Sequence, residues 1–237
     1  MQTISWLTLS WCLLPILIIS VIYWRWFGTI KEVITASARM LIQLVAVGYL
    51  LLVIFAQPSV GISLLVMLVM LIAASWIAIR PVKQHAGILL PAAIALVVSV
   101  VLHLIISLQL VLQVELWFDP RVLIPLAGMY FTNTMTSISL TAERYFSELE
   151  NNSLPDVAKK TAFQASMIPQ INGLLAVGLV SLPGMMTGQI LSGVSPLIAV
   201  RYQIMIMAMG LGTAGVGSFL FLWYMSRKHQ GSKNQEE

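Results

Sequence analysis

The amino-acid sequence predicts an all-α, polytopic integral membrane protein with about seven transmembrane helices and one cytoplasmic amphipathic helix, and three observations carry that prediction. The first is composition: of 237 residues 59% are hydrophobic and 9% charged, with a mean hydropathy of +0.91, whereas soluble domains average roughly 25% charged residues. So few charges cannot cover a globule with this much apolar surface. A water-soluble enzyme, a disordered chain and a secreted disulfide scaffold are thereby excluded. The second is the grouping of apolar residues into runs of about 20, the length that crosses roughly 30 Å of hydrocarbon at about 1.5 Å per residue. The third is the concentration of Lys and Arg in alternate connections.

The runs lie near residues 4–24, 35–56, 60–79, 87–112, 121–142, 169–190 and 197–225. No basic side chain precedes the first run, because Arg25 and Lys31 follow it, so it reads as a retained anchor and not a cleavable signal. One set of connections holds eleven of the 13 Lys and Arg residues, among them Arg80, Lys83, Arg144, Lys159, Lys160 and Arg227; the other holds Arg121 and Arg201. By the positive-inside rule the N-terminus is outside and the C-terminus cytoplasmic. The pI near 9.4 is therefore a topology signal and not a nucleic-acid footprint. Residues 1–226 read as a single transmembrane domain, and residues 227–237 as a short polar cytoplasmic tail.

Taken in order, the second span places Arg39 and Gln43 on one helix face. A central arginine costs roughly 2.5 to 3.5 kcal/mol in a bilayer, so Arg39 either snorkels to the cytoplasmic side with a hydrogen bond to a neighbouring helix, or lines a polar route or anchors the cytoplasmic helix. His103 stands alone in the fourth span and reads as a packed, hydrogen-bonded side chain. Thr132, Asn133, Thr134, Thr136 and Ser137 give the fifth span an unusual polar density, suited equally to interhelical hydrogen bonds and to lining a pathway. The connection that follows, residues 143–168, is long and charged. Ser153 before Pro155 signals a helix start, and Ala158, Thr161, Ala162, Ala165 and Ile168 share a face away from Lys159, Lys160 and Gln164: a short amphipathic helix.

In the sixth run, Gly178, Pro183, Gly184 and Gly188 should break or kink the helix near Pro183. Non-helical backbone at membrane depth persists only inside protein or beside a watery cavity, and broken helices often form transporter binding sites. A packing kink is the simpler account. Met185 and Met186 at the break, with Met205, Met207 and Met209 beyond it, are either gap-filling side chains or soft thioether ligands. Gly210-Leu211-Gly212-Thr213-Ala214-Gly215 matches a dinucleotide fingerprint letter for letter, but it lies within an apolar span and lacks the acidic partner, so it reads as a small-residue helix contact.

Several chemistries are absent from the sequence. Cys12 is the lone cysteine, the three histidines are scattered, and no set of residues shows metal-ligand spacing. No P-loop for ATP is present and no serine, histidine and carboxylate set is readable. The chain is expected to be no enzyme, to need no cofactor and to bind no nucleic acid.

Arg39 to Tyr49 (with Gln43 and Gly48), Ile124-Pro125 with Gly128, Met129, Asn133 and Met135, and above all Val177 to Gly188 around Ser181-Leu182-Pro183-Gly184-Met185-Met186 resemble the Fet-type iron-export permease family, which includes a plant aluminium-tolerance branch. The resemblance runs from about Lys31 to Lys228. It implies the permease subunit of an ATP-binding cassette transporter in the inner membrane, exporting metal as a homodimer with a separate ATPase subunit. It further implies that residues 143–168 form the coupling segment, with Ala158, Lys159, Lys160 and Gln164 as ATPase contacts. Arg39, Gln43, Asn133, Asn172, Pro183, Gly184, Met185 and Met186 are then the candidates for the pathway or gate. The sequence departs from the family at Asn172 and Leu175, where an acidic residue and a lysine are usual, and at Thr132 and Ile77. An ATP-independent carrier or channel, or a non-transporting scaffold, are the alternatives; few ionisable residues sit deep enough for a proton or sodium relay.

Overall fold

The structure, a computed structural model, describes residues 5–56 and 58–233, with side chains to Arg227. The helices expected from the apolar runs form two compact units, Met1–Gln57 and Pro58–Glu237. Among the described residues, extended pairing is confined to an isolated bridge between Val177 and Ser181. The chain is an all-α polytopic membrane protein.

The N-terminal unit holds α1 (Trp6–Leu9), a 3-10 turn (Ser10–Cys12), α2 (Leu13–Phe27) and α3 (Lys31–Ala56). Ser5 caps α1 through the Thr8 amide. Gly28, at φ 68, ends α2 in the left-handed conformation and donates its N–H to the Trp24 carbonyl. In these helices Ser20 and Ile54 are the buried residues, and Leu, Ile, Val and Trp side chains stand exposed along both. Such surfaces are stable in hydrocarbon and not in water.

The C-terminal unit holds α4 (Val60–Ala78), α5 (Leu89–Ile105), α6 (Pro120–Glu150), α7 (Pro155–Ala176), α8 (Gly184–Leu191) and α9 (Pro196–Lys233). A π-helical turn, Ile106–Val111, prolongs α5. Asp119 caps α6 through the Arg121 amide, with Pro120 in the first turn where its missing N–H costs nothing. Around α6 pack α4, α5, α7 and α9, and the core they share includes Leu96, Val100, Tyr130, Ile138 and Phe221.

Among the described residues, Trp6–Phe27, Lys31–Ala56, Val60–Ala78, Leu89–Val111 and Pro196–Arg227 are long and apolar enough to cross a membrane. They correspond to the first, second, third, fourth and seventh expected runs. The fifth run became part of α6, which at 31 residues is about 46 Å long; its polar run, with Thr134 and Ser137 buried among other helices and Thr132 and Thr136 exposed, makes it less apolar than a purely lipid-facing span.

Several expected boundaries need correction. The charged stretch from Glu143 to Glu150 is not a loop but the end of α6. Ser153 does not cap α7; Leu154 occupies that position, with Pro155 at the first helical residue, while the Ser153 hydroxyl donates to Glu148. The amphipathic helix is not short either, since α7 continues through Pro169 to Ala176. Its buried face is Ala158, Ala162, Ser166 and Met167, and Ile168 is exposed. The expected tail begins inside α9, which extends to Lys233; residues 234–237 of it, and residues 1–4, lie outside the described residues.

Candidate functional site

The sixth apolar run is broken, beginning six residues ahead of Pro183. Val177 leaves the helix in an extended conformation, φ −64 and ψ 132. Gly178 then takes φ +83, a region that favours glycine because it has no Cβ. The turn is held by the Ala176 carbonyl, which accepts the Val180 amide at 2.8 Å, and by the Gly178 amide, which donates to the Ser181 carbonyl at 3.0 Å. Pro183, extended at φ −63 and ψ 145, starts α8, and its carbonyl accepts the Thr187 amide and hydroxyl. Leu182 is restricted by the proline that follows it, so α8 cannot wind backward through the turn. Gly184 and Met185 are exposed, Pro183 and Met186 half-buried.

Beside the break lies a chamber of about 460 Å³ between residues 174–186 and residues 200–211 of α9. Pro183, Met186 and Met207 line it, and the sole polar side chain in its wall is Gln203. Gln203 is 6% exposed, and its Oε1 has no hydrogen-bond partner. Of the other pathway candidates, Asn172 is exposed on α7, one turn before the exposed Leu175. Asn133 is half-buried on α6, its Nδ2 only 2.7 Å from where a Cβ on Gly210 would stand. Arg39 and Gln43 are exposed on α3 of the N-terminal unit.

The polar run on α6 divides between the two uses the sequence allows. Thr134 and Ser137 are buried: Thr134 donates to the Tyr130 carbonyl at 2.8 Å and Ser137 shares a 2.8 Å bond with Ser218 of α9. Thr141 adds a 3.0 Å bond to Ser218. Thr132 and Thr136 are exposed. His103 is buried, as expected, and its Nδ1 donates to the Ser99 carbonyl at 2.7 Å. The glycine-rich segment is a close-contact face: a Cβ on Gly212 would collide with the His103 ring and one on Gly217 with Thr134.

A second candidate surface is the helical hairpin of α6 and α7. Arg144 pairs with Glu148 one turn on, and His85 stacks on Phe146 at 3.9 Å. On α7, Lys159 Nζ lies 2.8 Å from Asp156 Oδ1. The hydrogen bond and charge of Lys159 hold the Asp156 carboxyl below its ordinary range, with a smaller contribution from Lys160. Lys160 and Gln164 are exposed and Lys159 is half-buried, whereas Ala158 is fully buried and seats the helix.

Among the described residues no group of three or more His, Cys, Asp or Glu is placed to hold a metal ion. Gln203 as the single polar group in the chamber was missed by reading the sequence for broken helices. The available signal was an amide side chain in an otherwise apolar run.

The chain matches the model of the family described as "Uncharacterised protein family (UPF0014)" over residues 5–155 and 156–229. It is 32% identical over 249 residues to "UPF0014 membrane protein slr1647" of Synechocystis, covering 96% of each chain. It is 32% identical over 220 residues to "Probable iron export permease protein FetB" of Escherichia coli, covering 86% of this chain and 84% of that one. To "Protein ALUMINUM SENSITIVE 3" of Arabidopsis thaliana it is 31% identical over 208 residues, 79% of this chain and 73% of the relative. No solved structure matches. Matched along nearly its whole length and helical throughout, the chain belongs to the UPF0014 family of multi-pass membrane proteins.

Proposed function

We propose that the chain is the membrane permease subunit of an ATP-binding cassette transporter that exports a metal ion, iron by its likeness to the FetB relative. In this reading a separate ATPase chain hydrolyses ATP, and two copies of the permease work together in the inner membrane with N-termini outside and C-termini cytoplasmic. The observation that carries it is the 32% identity with a protein named as a probable iron export permease, sustained over 86% of the chain.

The reading is supported by a continuous helix between the exposed hairpin and the break. The α6–α7 hairpin presents Lys160 and Gln164 outward, with Lys159 beside them, while Ala158 and Ala162 lock the start of α7 onto its neighbours. A push on that surface is transmitted along a continuous helix of 22 residues to the break that follows Ala176. Pro183, Gly184, Met185 and Met186 then act as the gate, with Asn133 and Asn172 bracing or lining the route.

The test is gentle purification of the tagged chain from its native membranes, with mass spectrometry of what stays bound. A stoichiometric ATP-binding cassette subunit is the expected result, followed by ATPase activity stimulated by Fe²⁺. Repeated recovery of the chain alone, while other two-component transporters in the same preparation remain whole, would overturn the reading.

A further inference from the structure

The last turns of α9 and the start of α5 border a groove of about 650 Å³ lined by Gly87, Leu90, Pro91, Trp223, Tyr224 and Arg227. Its wall is of two kinds: Leu90, Pro91 and Trp223 supply apolar surface, and Arg227 supplies a full positive charge. The Arg227 guanidinium lies 4.0 Å over the centroid of the Trp223 ring, one turn earlier on α9. A guanidinium over a ring still presents its fork of N–H groups at the edge, the geometry that takes a phosphate through two hydrogen bonds. Among the described residues no carboxylate pairs with Arg227. Neither segment that builds the groove, residues 58–114 or residues 196–235, contains an Asp or Glu, and Glu150, the acid beside the turn before α5, lies 3.6 Å from His85. The same two segments carry further bases, Lys83 and Lys228, so their excess charge is positive.

Depth in the membrane selects the anion. Arg227 closes the apolar stretch Pro196–Arg227, which is long enough to cross a membrane, and Trp223 and Tyr224 just before it are exposed. Exposed aromatic side chains followed by a base mark the boundary between hydrocarbon and headgroups. The anion at hand there is a lipid phosphate, and its acyl chains use the apolar wall that a dissolved anion would not. We propose that this groove binds an anionic phospholipid, its phosphate on the Arg227 guanidinium and the upper part of an acyl chain against Leu90 and Trp223. The orientation proposed above puts this lipid in the cytoplasmic leaflet; the binding itself does not rest on it.

Native mass spectrometry of the full chain in detergent, titrated with dioleoyl phosphatidylglycerol or dioleoyl phosphatidylcholine, compares an anionic and a neutral headgroup on identical tails. Phosphatidylglycerol should bind about fivefold or more tightly, the effect of one interfacial charge. Arg227→Gln should abolish that preference and leave phosphatidylcholine binding unchanged, which also shows that the variant is folded. Arg201→Gln removes an equal charge from an exposed position about 39 Å away along the same helix and should change nothing. Leu90→Trp, an exchange of one exposed apolar side chain for a larger one, fills the groove with every charge in place and should weaken phosphatidylglycerol binding about fivefold. Equal affinities for the two lipids in the parent, the same loss in Arg201→Gln as in Arg227→Gln, or binding unchanged in Leu90→Trp would each overturn the proposal. So would displacement of phosphatidylglycerol by millimolar inorganic phosphate, which would make the groove a site for dissolved anions, or closure of the groove by a second copy. Failure of an ATPase to co-purify would leave these results standing, and equal lipid affinities would leave the permease reading untouched.

Discussion

A methyl group added at Gly212 has nowhere to go. It would meet the His103 ring, and that ring cannot swing away, because it is buried and its Nδ1 is fixed to the Ser99 carbonyl. Gly217 is equally constrained by the buried Thr134, itself tied to the Tyr130 carbonyl. At Gly215 the nearest atom to an added Cβ is the Met167 sulfur at 3.6 Å, an ordinary contact with a flexible side chain. Overpacking of this kind costs about 1–3 kcal/mol. Gly212→Ala and Gly217→Ala should therefore lower the thermal midpoint of the detergent-solubilised chain, and Gly215→Ala should not; His103→Ala should restore part of the loss in Gly212→Ala. On the α6–α7 hairpin, the Asp156 carboxyl is held below its ordinary pKa of 3.8 by Lys159. A carboxyl depressed in the folded state contributes stability that is complete above the ordinary value and is lost as pH falls through the lowered one. The difference in midpoint between Asp156→Asn and the parent should thus be constant from about pH 5 to pH 8 and shrink only below about pH 4.

At the scale of the element, two residues of different kinds keep α7 and α8 apart. Gly178 occupies a left-handed conformation with no atom near where a Cβ would stand, so Gly178→Ala meets only backbone strain of about 1–2 kcal/mol. Pro183 denies the preceding residue a helical conformation. If the break is the gate, Pro183→Ala lets the helix wind backward, and export measured in vesicles with the ATPase present should fall severalfold; unchanged export would sink the hinge. Lys160→Glu acts at the other end of the same lever and should weaken ATPase co-purification more than Lys159→Ala, because Lys159 already has Asp156 as a partner. The break was legible in the sequence because glycine and proline act locally: Gly178, Pro183 and Gly184 disfavour a helix whatever surrounds them. The extension of α6 was not, because Glu143, Arg144, Glu148 and Glu150 look like solvated loop charges until Arg144 pairs with Glu148 and Phe146 stacks on His85, a residue distant in sequence. The chamber was illegible for a similar reason. Its wall is assembled from the break and a separate stretch of α9, and nothing local to Gln203 says that its oxygen will lack a partner.

At the scale of the whole molecule, the arrangement of charge against helix ends is the ground for the proposed topology, which the helices alone leave open. Lys31 begins α3, Arg80 follows α4, Arg144 lies near the end of α6 and Arg227 lies in the last turns of α9. Glu115 and Asp119 lie in the connection between α5 and α6, where Arg121 is the only nearby cation in the sequence. Moving basic segments across a membrane is unfavourable, and the proposed orientation accordingly keeps the Lys and Arg ends cytoplasmic. In that proposed orientation the trace from α5 to α6 reaches the outer side between Val111 and Pro120, and the α6–α7 hairpin returns to the inner side, where the proposed ATPase would find it. Replacing the exposed Cys12 by Ser removes the one native thiol, which opens the question to single-cysteine labelling. With a membrane-impermeant maleimide on intact cells, Glu115→Cys should react at once, while Thr29→Cys, Lys83→Cys and Asn151→Cys should react only after permeabilisation. Reaction of Asn151→Cys in intact cells would put the α6–α7 hairpin outside, and no cytoplasmic ATPase could then act on Lys160.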